Sequence, residues 1–239
     1  MNDEQRIAAA LAPSPGVSSD GSASADGRPD SDVTLGFYNQ NPTGLSFLAL
    51  LREDWETHEK DFLSQGLWAV ACNRFGNWRM GIRPKIVRLP FTILYKVSYK
   101  FVEWTCGISL NYTVKVGRRV HIWHHGGMIL GAREIGNDVH IRQNTTFGVA
   151  RRGDPRWMKP VIGDRADIGT GAVIVGGITI GHDSGVGANA VVTKDVPPNC
   201  IAVGVPAVIK RRGERIKPAV DGHQEVGRLV PSPGNPGEG

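Results

Sequence analysis

Isoleucine or valine occupies every sixth position between residues 162 and 192 of this chain. The residues are Ile162, Ile168, Ile174, Ile180, Val186 and Val192, and glycine directly follows four of the first five. Side chains alternate every two residues along a strand and return every 3.6 residues along a helix, so a period of six fits neither a flat strand nor a helix. The period predicts a parallel β-helix, in which three hexapeptides, each a short strand and a bend, make one triangular turn. We expect the aliphatic side chains to point inward and the glycines to ease the corners.

The same period continues upstream in two offset registers, separated from each other and from the main run by two interruptions. Val116 and Ile122 form the first register, and the second runs from Ile129 to Phe147. A one-residue slip covers residues 123–127, and residues 149–161 are rich in Arg, Gly, Asp and Pro. Insertions in repeat proteins map to loops and often to the binding face. We therefore expect residues 149–161 to leave the stack as a loop.

Composition divides the chain into four segments. Residues 1–34 and 213–239 contain few large apolar groups, too few to offset the entropy lost on ordering, and are expected to be disordered tails. Residues 35–107 show apolar side chains at helical spacing, and Pro90 is expected to open the third of three helices. Residues 108–212 form the predicted β-helix. The third helix is amphipathic, and its apolar face is expected to pack on the β-helix or a neighbouring subunit, with docking on a membrane surface as the alternative.

Charge and cysteine content exclude several classes of protein. The formal net charge is +5, and the basic residues form short local groups that suit an anionic ligand. No recognition-helix, RRM or zinc-finger pattern occurs, so we expect no nucleic-acid partner. The three cysteines are widely spaced and fit a reducing compartment better than a disulfide framework. No signal-peptide pattern or bilayer-length apolar stretch is found, which predicts a cytoplasmic protein with no membrane span.

His124 and His125 are the candidates for chemistry. Of the seven histidines, only these two coincide with a break in the repeat beside a glycine pair. An exposed imidazole can accept the proton of a hydroxyl that attacks an acyl group. A structural histidine is one alternative, and a zinc site of His121, His124 and His125 is another. The surrounding ligand-forming residues match no recognised metal spacing, so we expect no metal.

Residues 108–210 resemble the left-handed β-helix of the hexapeptide acyltransferases, specifically the serine O-acetyltransferase branch. That family's pattern of a histidine, two residues, glycine, three aliphatic residues and glycine is matched by residues 124–131. Residues 137–148 resemble the next coil, and residues 187–207 resemble the closing run, which is the most specific part. The resemblance implies a mainly β fold with a helical cap. It also implies transfer of acetyl from acetyl-CoA to a hydroxyl, with His124 as the general base and no covalent nucleophile.

The resemblance further implies where acetyl-CoA binds. The pantetheine arm is expected to lie along a groove between adjacent subunits of a homotrimer, with basic side chains meeting the phosphates. Backbone N–H groups near the loop after Phe147 are expected to face the negative charge that develops on the thioester carbonyl. The expected contacts are Gly148, Gly169, Thr170, Ala188, Lys210 and Arg211.

Departures from the family pattern concern the acceptor. Trp123 stands where the family has an acidic residue, Lys159 stands where it has a second histidine, and residues 108–112 contain no carboxylate to orient the catalytic histidine. Asp61, which matches the acidic residue of the helical cap, favours L-serine. The acceptor stays open between L-serine and a sugar hydroxyl of a surface-polysaccharide precursor, and we expect free L-serine to be the poorer of the two. The expected acceptor contacts are Trp123, His125, Asp61 and Arg156.

A catalytically idle hexapeptide protein is the second class of function. Such a protein would act as an assembly scaffold or as an anhydrase-like metal binder. A metal site of that kind needs histidines from adjacent coils and subunits. A scaffold needs no register slip at a histidine pair, so the slip favours the enzyme.

Overall fold

The computed structural model describes residues 36–212, which form a helical cap followed by a stack of short strands. Both predicted tails, residues 1–34 and 213–239, lie outside the described residues. The helices are α1 (Phe47–Thr57), α2 (Gln65–Trp78) and α3 (Lys85–Cys106), and a 3₁₀ turn at Arg79–Gly81 follows α2. No helix in residues 36–212 combines the length and the apolar character needed to cross a bilayer.

Fifteen strands form the three faces of a triangular coil. The first face contains β1 (Ile108–Ser109), β4 (Met128–Leu130), β7 (Thr146–Gly148), β10 (Val173–Val175) and β13 (Val191–Val192). The second contains β2 (Lys115–Val116), β5 (Glu134–Ile135), β8 (Val161–Ile162) and β11 (Thr179–Ile180). The third contains β3 (His121–Trp123), β6 (His140–Arg142), β9 (Asp167–Ile168), β12 (Gly185–Val186), β14 (Cys200–Val203) and β15 (Val208–Arg211).

Successive coils stack in parallel register, and only β15 runs antiparallel to its neighbour β14. On the third face, Ile122 pairs with Ile141, which pairs with Ile168. All six aliphatic residues of the main run are buried, which confirms the predicted left-handed parallel β-helix of hexapeptide repeats. Their side chains form one continuous apolar column along the axis of the coil.

The register predicted for Ile129 is wrong. This side chain is 55% exposed, whereas its neighbours Met128 and Leu130 are buried, and Leu130 pairs with the interior residue Phe147. Residues 124–127 form a turn with several positive φ angles. After this turn, Met128 and Leu130 of β4 point into the coil and Ile129 points outward. A one-residue change of register exchanges the inner and outer side chains of a strand.

Glycine is required at the corners because successive coils approach closely. A Cβ on Gly163 would lie 2.7 Å from the carbonyl oxygen of Ile180 in the next coil, and a Cβ on Gly169 would lie 2.7 Å from the oxygen of Val186. Heavy atoms at that distance overlap, so a larger residue would push the coils apart. The regular glycines therefore serve coil stacking.

Helix α2 closes the lower end of the coil with polar side chains. Asn73 Nδ2 donates to the carbonyl oxygen of Asn111 at 2.9 Å, and Asn77 Nδ2 donates to that of Tyr112 at 2.9 Å. Arg74 donates to the carbonyl oxygen of Val116 at 2.6 Å and forms a fully buried ion pair with Asp54 at 3.0 Å. These bonds satisfy backbone carbonyls of the first coil that have no coil beneath them.

Helix α3 begins five residues before Pro90, so the expectation that this proline opens the helix is wrong. Pro84 occupies the N-cap position, and Pro90 lies inside the helix, where it removes one backbone donor. Gly107 ends the helix in the left-handed conformation, with φ of 64°, and leads directly into β1. The cap is thereby joined to the first coil without a linker.

Candidate functional site

The chain turns sharply between β3 and β4, at the predicted slip in register. His124, Gly126 and Gly127 have φ values of 61°, 99° and 63°. The turn packs closely, since a Cβ on Gly127 would lie 2.9 Å from Asn144 Oδ1 and one on Gly107 would lie 3.1 Å from the Gly126 Cα. The glycines allow this path, and His124 is the residue with a side chain that must adopt the left-handed conformation.

The same corner recurs in the coils above, where it is occupied by residues suited to positive φ. Asn144, Gly171 and Asn189 have φ of 59°, 71° and 55° there, and Gly127 lies beneath them, since the N–H of Asn144 donates to the carbonyl oxygen of Gly126. His124 lies outside this stack, in a turn that is two residues longer than the corners above it. His124 and His125 are both exposed, and neither imidazole has a hydrogen-bond partner among the described residues. The fold thus presents a histidine to solvent on a fixed corner of the coil.

Trp123 lies on the outside of the third face, directly before this turn. Its ring stacks on His121 with centroids 3.8 Å apart and an interplanar angle of 11°, and its Nε1 donates to His140 Nδ1 at 2.9 Å. His58, from the loop after α1, packs on the other side of His121 at 4.7 Å. One face of the indole predicted to contact the acceptor is therefore already covered by the protein.

The stack keeps its innermost imidazole neutral. Burial, reinforced by the neighbouring His58 and His140, lowers the pKa of His121 to about 4. Burial also lowers the pKa of His58, whose Nδ1 lies 2.7 Å from the carbonyl oxygen of Asp54. A neutral His121 can stack on Trp123 without the cost of a desolvated charge.

A groove of about 510 Å³ runs up the third face from Trp123. Arginine and aspartate side chains line it in pairs: Arg142 binds Asp167, and Arg165 Nη2 lies 2.6 Å from Asp183 Oδ2. The hydrogen bond from the Arg165 guanidinium holds the pKa of the Asp183 carboxyl well below its usual range, and a second hydrogen bond, with His182, lowers it further. Because these arginines are already paired, the groove offers polar contacts with little unbalanced charge.

The residues expected to bind acetyl-CoA fall on two corners and one strand. Gly169, Thr170 and Ala188 lie at the corner between the third and first faces, two or more coils above the turn that contains His124. Gly148 ends β7 at the opposite corner, beside the loop of residues 149–160, and a Cβ there would meet nothing within 4 Å. Lys210 and Arg211 lie on β15, opposite Ile201 and Cys200. A single chain does not gather these residues into one enclosed pocket.

The structure describes the side chains of some, but not all, of the remaining predicted contacts. Asp61 is exposed in the loop between α1 and α2, where its Oδ1 accepts from the backbone N–H of Leu63 at 2.8 Å. The backbone of Arg156 begins the 3₁₀ turn Arg156–Met158, and its side chain lies outside what the structure describes. The amine of Lys159 approaches β4, since a Cβ on Gly131 would lie 3.8 Å from its Nζ.

Sequence reasoning missed a carboxylate of the cap that contacts the first coil. Glu103, on α3, forms hydrogen bonds with Lys100, Ser109 and Tyr99, and its pKa is lowered, chiefly by Lys100. Ser109 pairs with Ile129 one coil above. Glu103 was missed because it belongs to a helix. His140 was missed too, although its position one coil after His121 follows from the repeat length.

No group of three metal-ligating side chains is found within residues 36–212. His121 is buried and stacked between His58 and Trp123, whereas His124 and His125 are exposed. The three histidines of the zinc alternative thus occupy different environments.

Stacked hexapeptide coils, a small helical cap and an exposed corner histidine define the hexapeptide acyltransferase class. No family model matches the chain. Curated relatives, all serine acetyltransferases, come from Bacillus licheniformis (37% identity, 79% of this chain and 80% of the relative), Bacillus subtilis (30%, 75% and 85%) and Mycobacterium tuberculosis (35%, 73% and 66%). The chain thus spans just under two thirds of the length of the Mycobacterium relative. It belongs to the serine acetyltransferase family of acyltransferases.

Solved structures of serine acetyltransferases share the fold. The soybean apoenzyme superposes with a TM-score of 0.58 at 26% identity, covering 69% of each chain. A serine acetyltransferase in complex with CoA superposes with a TM-score of 0.56 at 24% identity, covering 69% of this chain and 70% of that one.

Proposed function

We propose that the chain transfers acetyl from acetyl-CoA to a hydroxyl, with His124 as the general base. The observation that carries this proposal is the turn of residues 124–127: it is two residues longer than the corners above it and holds His124 exposed, with φ of 61°, outside the regular corner stack. Uncommon backbone conformations at exposed polar residues cluster at active sites. The family membership supports the same reaction.

The reaction balances with His124 alone moving the proton. Its neutral imidazole accepts the hydroxyl proton while the oxygen attacks the thioester carbonyl carbon. The C–S bond then breaks, and the departing CoA sulfur takes the proton back from the imidazolium. Nothing in this sequence needs a covalent enzyme intermediate, because holding both substrates together supplies much of the rate.

Acetyl-CoA is proposed to bind between subunits of a homotrimer. The support is that Gly148, Gly169, Thr170 and Ala188 are half-buried or exposed in one chain, where a second coil can complete a groove. In this proposal residues 35–107 form the helical domain and residues 108–212 the acyltransferase domain. Cyclic packing of three chains would create three equivalent sites. Sedimentation equilibrium tests this, and a fully active monomer would contradict it.

L-serine is the acceptor that the relatives support, since all those reported above are serine acetyltransferases. Asp61 is exposed and available to an amino-acid ammonium.

A sugar hydroxyl is the second candidate, and Trp123 favours it. An indole cannot pair with an ammonium as a carboxylate does, and an unpaired charge in a closed site is costly. Arg151 and Arg152 are exposed on the loop after β7, where they can meet a phosphate or an acidic sugar.

The deciding experiment compares kcat/KM for L-serine with that for nucleotide-linked and lipid-linked sugars, by thiol release from acetyl-CoA. A value for L-serine above ~10⁴ M⁻¹s⁻¹ would match enzymes acting on their own substrates and identify serine as the acceptor. A higher value for a sugar, with L-serine near background, would identify the second candidate. Trp123→Asp is the matched variant, and it should improve the use of L-serine relative to the sugar if Trp123 excludes the amino acid.

A further inference from the structure

Helix α3 presents a continuous apolar face to solvent. Eight large apolar side chains on it are each more than half exposed: Ile86, Val87, Leu89, Ile93, Leu94, Val97, Phe101 and Trp104. At 100° per residue they fall in one arc, opposite the buried residues Tyr95, Val102 and Cys106 that pack on the core. Soluble monomers rarely expose a contiguous apolar patch of this kind, so we expect it to be covered in function.

Cations border this face along one side. Lys85, Lys96 and Lys100 follow one edge of the arc, and Arg88 lies beyond them; Glu103 is the single acidic residue of the helix. Neither Arg88 nor Lys96 forms an ion pair with any described residue. The partner of the apolar face is therefore expected to carry negative charge at its edge.

A pocket of about 530 Å³ opens beside this basic edge, between α3 and the end of α2. Arg79, Arg88, Lys96 and Lys100 contribute to its wall, and none of the described residues lining it is acidic. The pocket is thus a positively charged cavity next to an apolar surface.

Arg79 marks this pocket as a site for an anion. Its side chain is 95% buried, since only 5% remains exposed, and its Nε has no hydrogen-bond partner within residues 36–212. Its guanidinium lies 4.6 Å from the ring centre of Tyr95 and 4.3 Å from that of Tyr112. Ring faces stabilise the cation only in part, and a buried cation without an anionic partner is costly. Guanidinium groups are well suited to phosphate oxygens.

We propose that α3 docks on an anionic lipid surface, with its apolar face at the boundary of headgroups and acyl chains and a headgroup phosphate in the Arg79 pocket. An amphipathic helix with aromatic and aliphatic residues on one side and Lys or Arg on the other has this binding mode. A second copy packed with α3 against α3 in an antiparallel two-fold pair is disfavoured as the occupant because two like-charged edges would meet. This docking is separate from the transferase site at His124.

The test is co-sedimentation of the full chain with vesicles of phosphatidylcholine alone and of an equal mixture of phosphatidylcholine and phosphatidylglycerol. Binding should favour the anionic vesicles by ~10-fold or more and weaken as salt is raised. Trp104 provides a local signal, because its fluorescence should shift to shorter wavelength on binding. That shift should be missing in Trp104→Phe.

Two pairs of matched variants separate the contributions. Ile93→Ser with Val97→Ser should lower vesicle binding by at least ~10-fold, whereas Leu48→Ser with Leu63→Ser, equally exposed apolar residues of the cap, should not. Arg88→Gln with Lys96→Gln should lower the ratio of binding to anionic over neutral vesicles by ~10- to 30-fold, which is the effect expected from the loss of two surface cations.

Lys60→Gln with Lys194→Gln is the charge control, since both lysines are exposed away from α3. Acetyl transfer to a soluble acceptor should be unchanged in all four variants, which keeps this test distinct from that of the proposed function.

Four results would overturn the proposal. One is equal binding to both vesicle types, and another is no binding to either. The third is a change of oligomeric state in Ile93→Ser with Val97→Ser, measured by sedimentation, without a change in vesicle binding, which would show that a second copy covers the face. Binding of free inorganic diphosphate in the Arg79 pocket without vesicle binding would likewise exclude the lipid as the source of the phosphate.

Discussion

Replacing His124 by asparagine should abolish acetyl transfer while leaving the fold as stable as before or slightly more so. Asparagine adopts this backbone conformation elsewhere in the coil: Asn144, Asn189 and Asn199 have φ of 59°, 55° and 59°, close to the 61° of His124. The imidazole is exposed and makes no hydrogen bond to the described residues, so its removal leaves no cavity and no unsatisfied partner.

The size of the stability change follows from the backbone. The left-handed conformation costs an ordinary L-residue about 1–2 kcal/mol, and asparagine tolerates it better than most. His124→Asn should therefore change the free energy of unfolding by less than ~0.5 kcal/mol, in the stabilising direction. His124→Gly removes the Cβ conflict but adds about 0.5–1 kcal/mol of chain entropy to the unfolded state, so a net gain below ~1 kcal/mol is expected. Either change should move Tm upward by no more than about 4 °C.

Acetyl-transfer activity should fall in His124→Asn although stability does not. Loss of a general base lowers kcat/KM by ~100-fold or more, which corresponds to ~2.7 kcal/mol of transition-state stabilisation. The assay is thiol release from acetyl-CoA with the preferred hydroxyl acceptor, run beside urea unfolding on the same preparations. His125→Asn should have a smaller effect, because His124 and not His125 is the proposed base.

Asn199→His is the matched control. Asn199 has φ of 59° at a corner on a different edge of the coil. Histidine there should cost a few tenths of a kcal/mol at most and leave acetyl transfer intact. The reasoning is refuted if His124→Asn retains more than a tenth of the parent activity, or if it destabilises the chain by more than ~2 kcal/mol, as a buried structural histidine would.

Three further predictions concern other parts of the molecule. Lys210→Ala with Arg211→Ala should raise KM for acetyl-CoA and leave kcat nearly unchanged, because phosphate contacts made equally in ground and transition states affect binding alone; a fall in kcat without a change in KM would count against CoA at this strand. Asp54→Asn should destabilise the chain by about 3–5 kcal/mol in urea unfolding, since it leaves the buried Arg74 charge uncompensated. Stability should fall as pH drops from 6.5 to about 4, because the pKa of His121 is depressed to about 4 in the fold and the unfolded chain binds the proton first. In His121→Phe part of this loss should disappear, and an unchanged pH profile would contradict the buried neutral imidazole.

The β-helix could be predicted from the sequence because its periodicity is local and strict. Each of Ile162 to Val192 occupies the inward-facing position of its own hexapeptide, so the pattern of six directly reports the interior side chains. The facing of Ile129 was not predictable in this way. It depends on the backbone path of residues 124–127, and hydropathy does not distinguish Met128, Ile129 and Leu130.

The corner histidine could be predicted because it coincides with a break in that periodicity. The surroundings of Trp123 could not, because they depend on how the cap meets the coil. His58 reaches His121 only because α2 packs closely on β3, where a Cβ on Gly66 would lie 2.4 Å from the carbonyl oxygen of Ile122. Contacts between a helix and a distant coil leave no spacing pattern in the sequence.

The most direct test of the central claim is acceptor-dependent release of CoA thiol from acetyl-CoA by the purified chain, with the product identified by mass spectrometry. The account predicts release that requires a hydroxyl acceptor, yields the O-acetylated acceptor in equal amount, and falls ~100-fold or more in His124→Asn. Release that no hydroxyl acceptor accelerates, or that His124→Asn catalyses as fast as the parent chain, would contradict it.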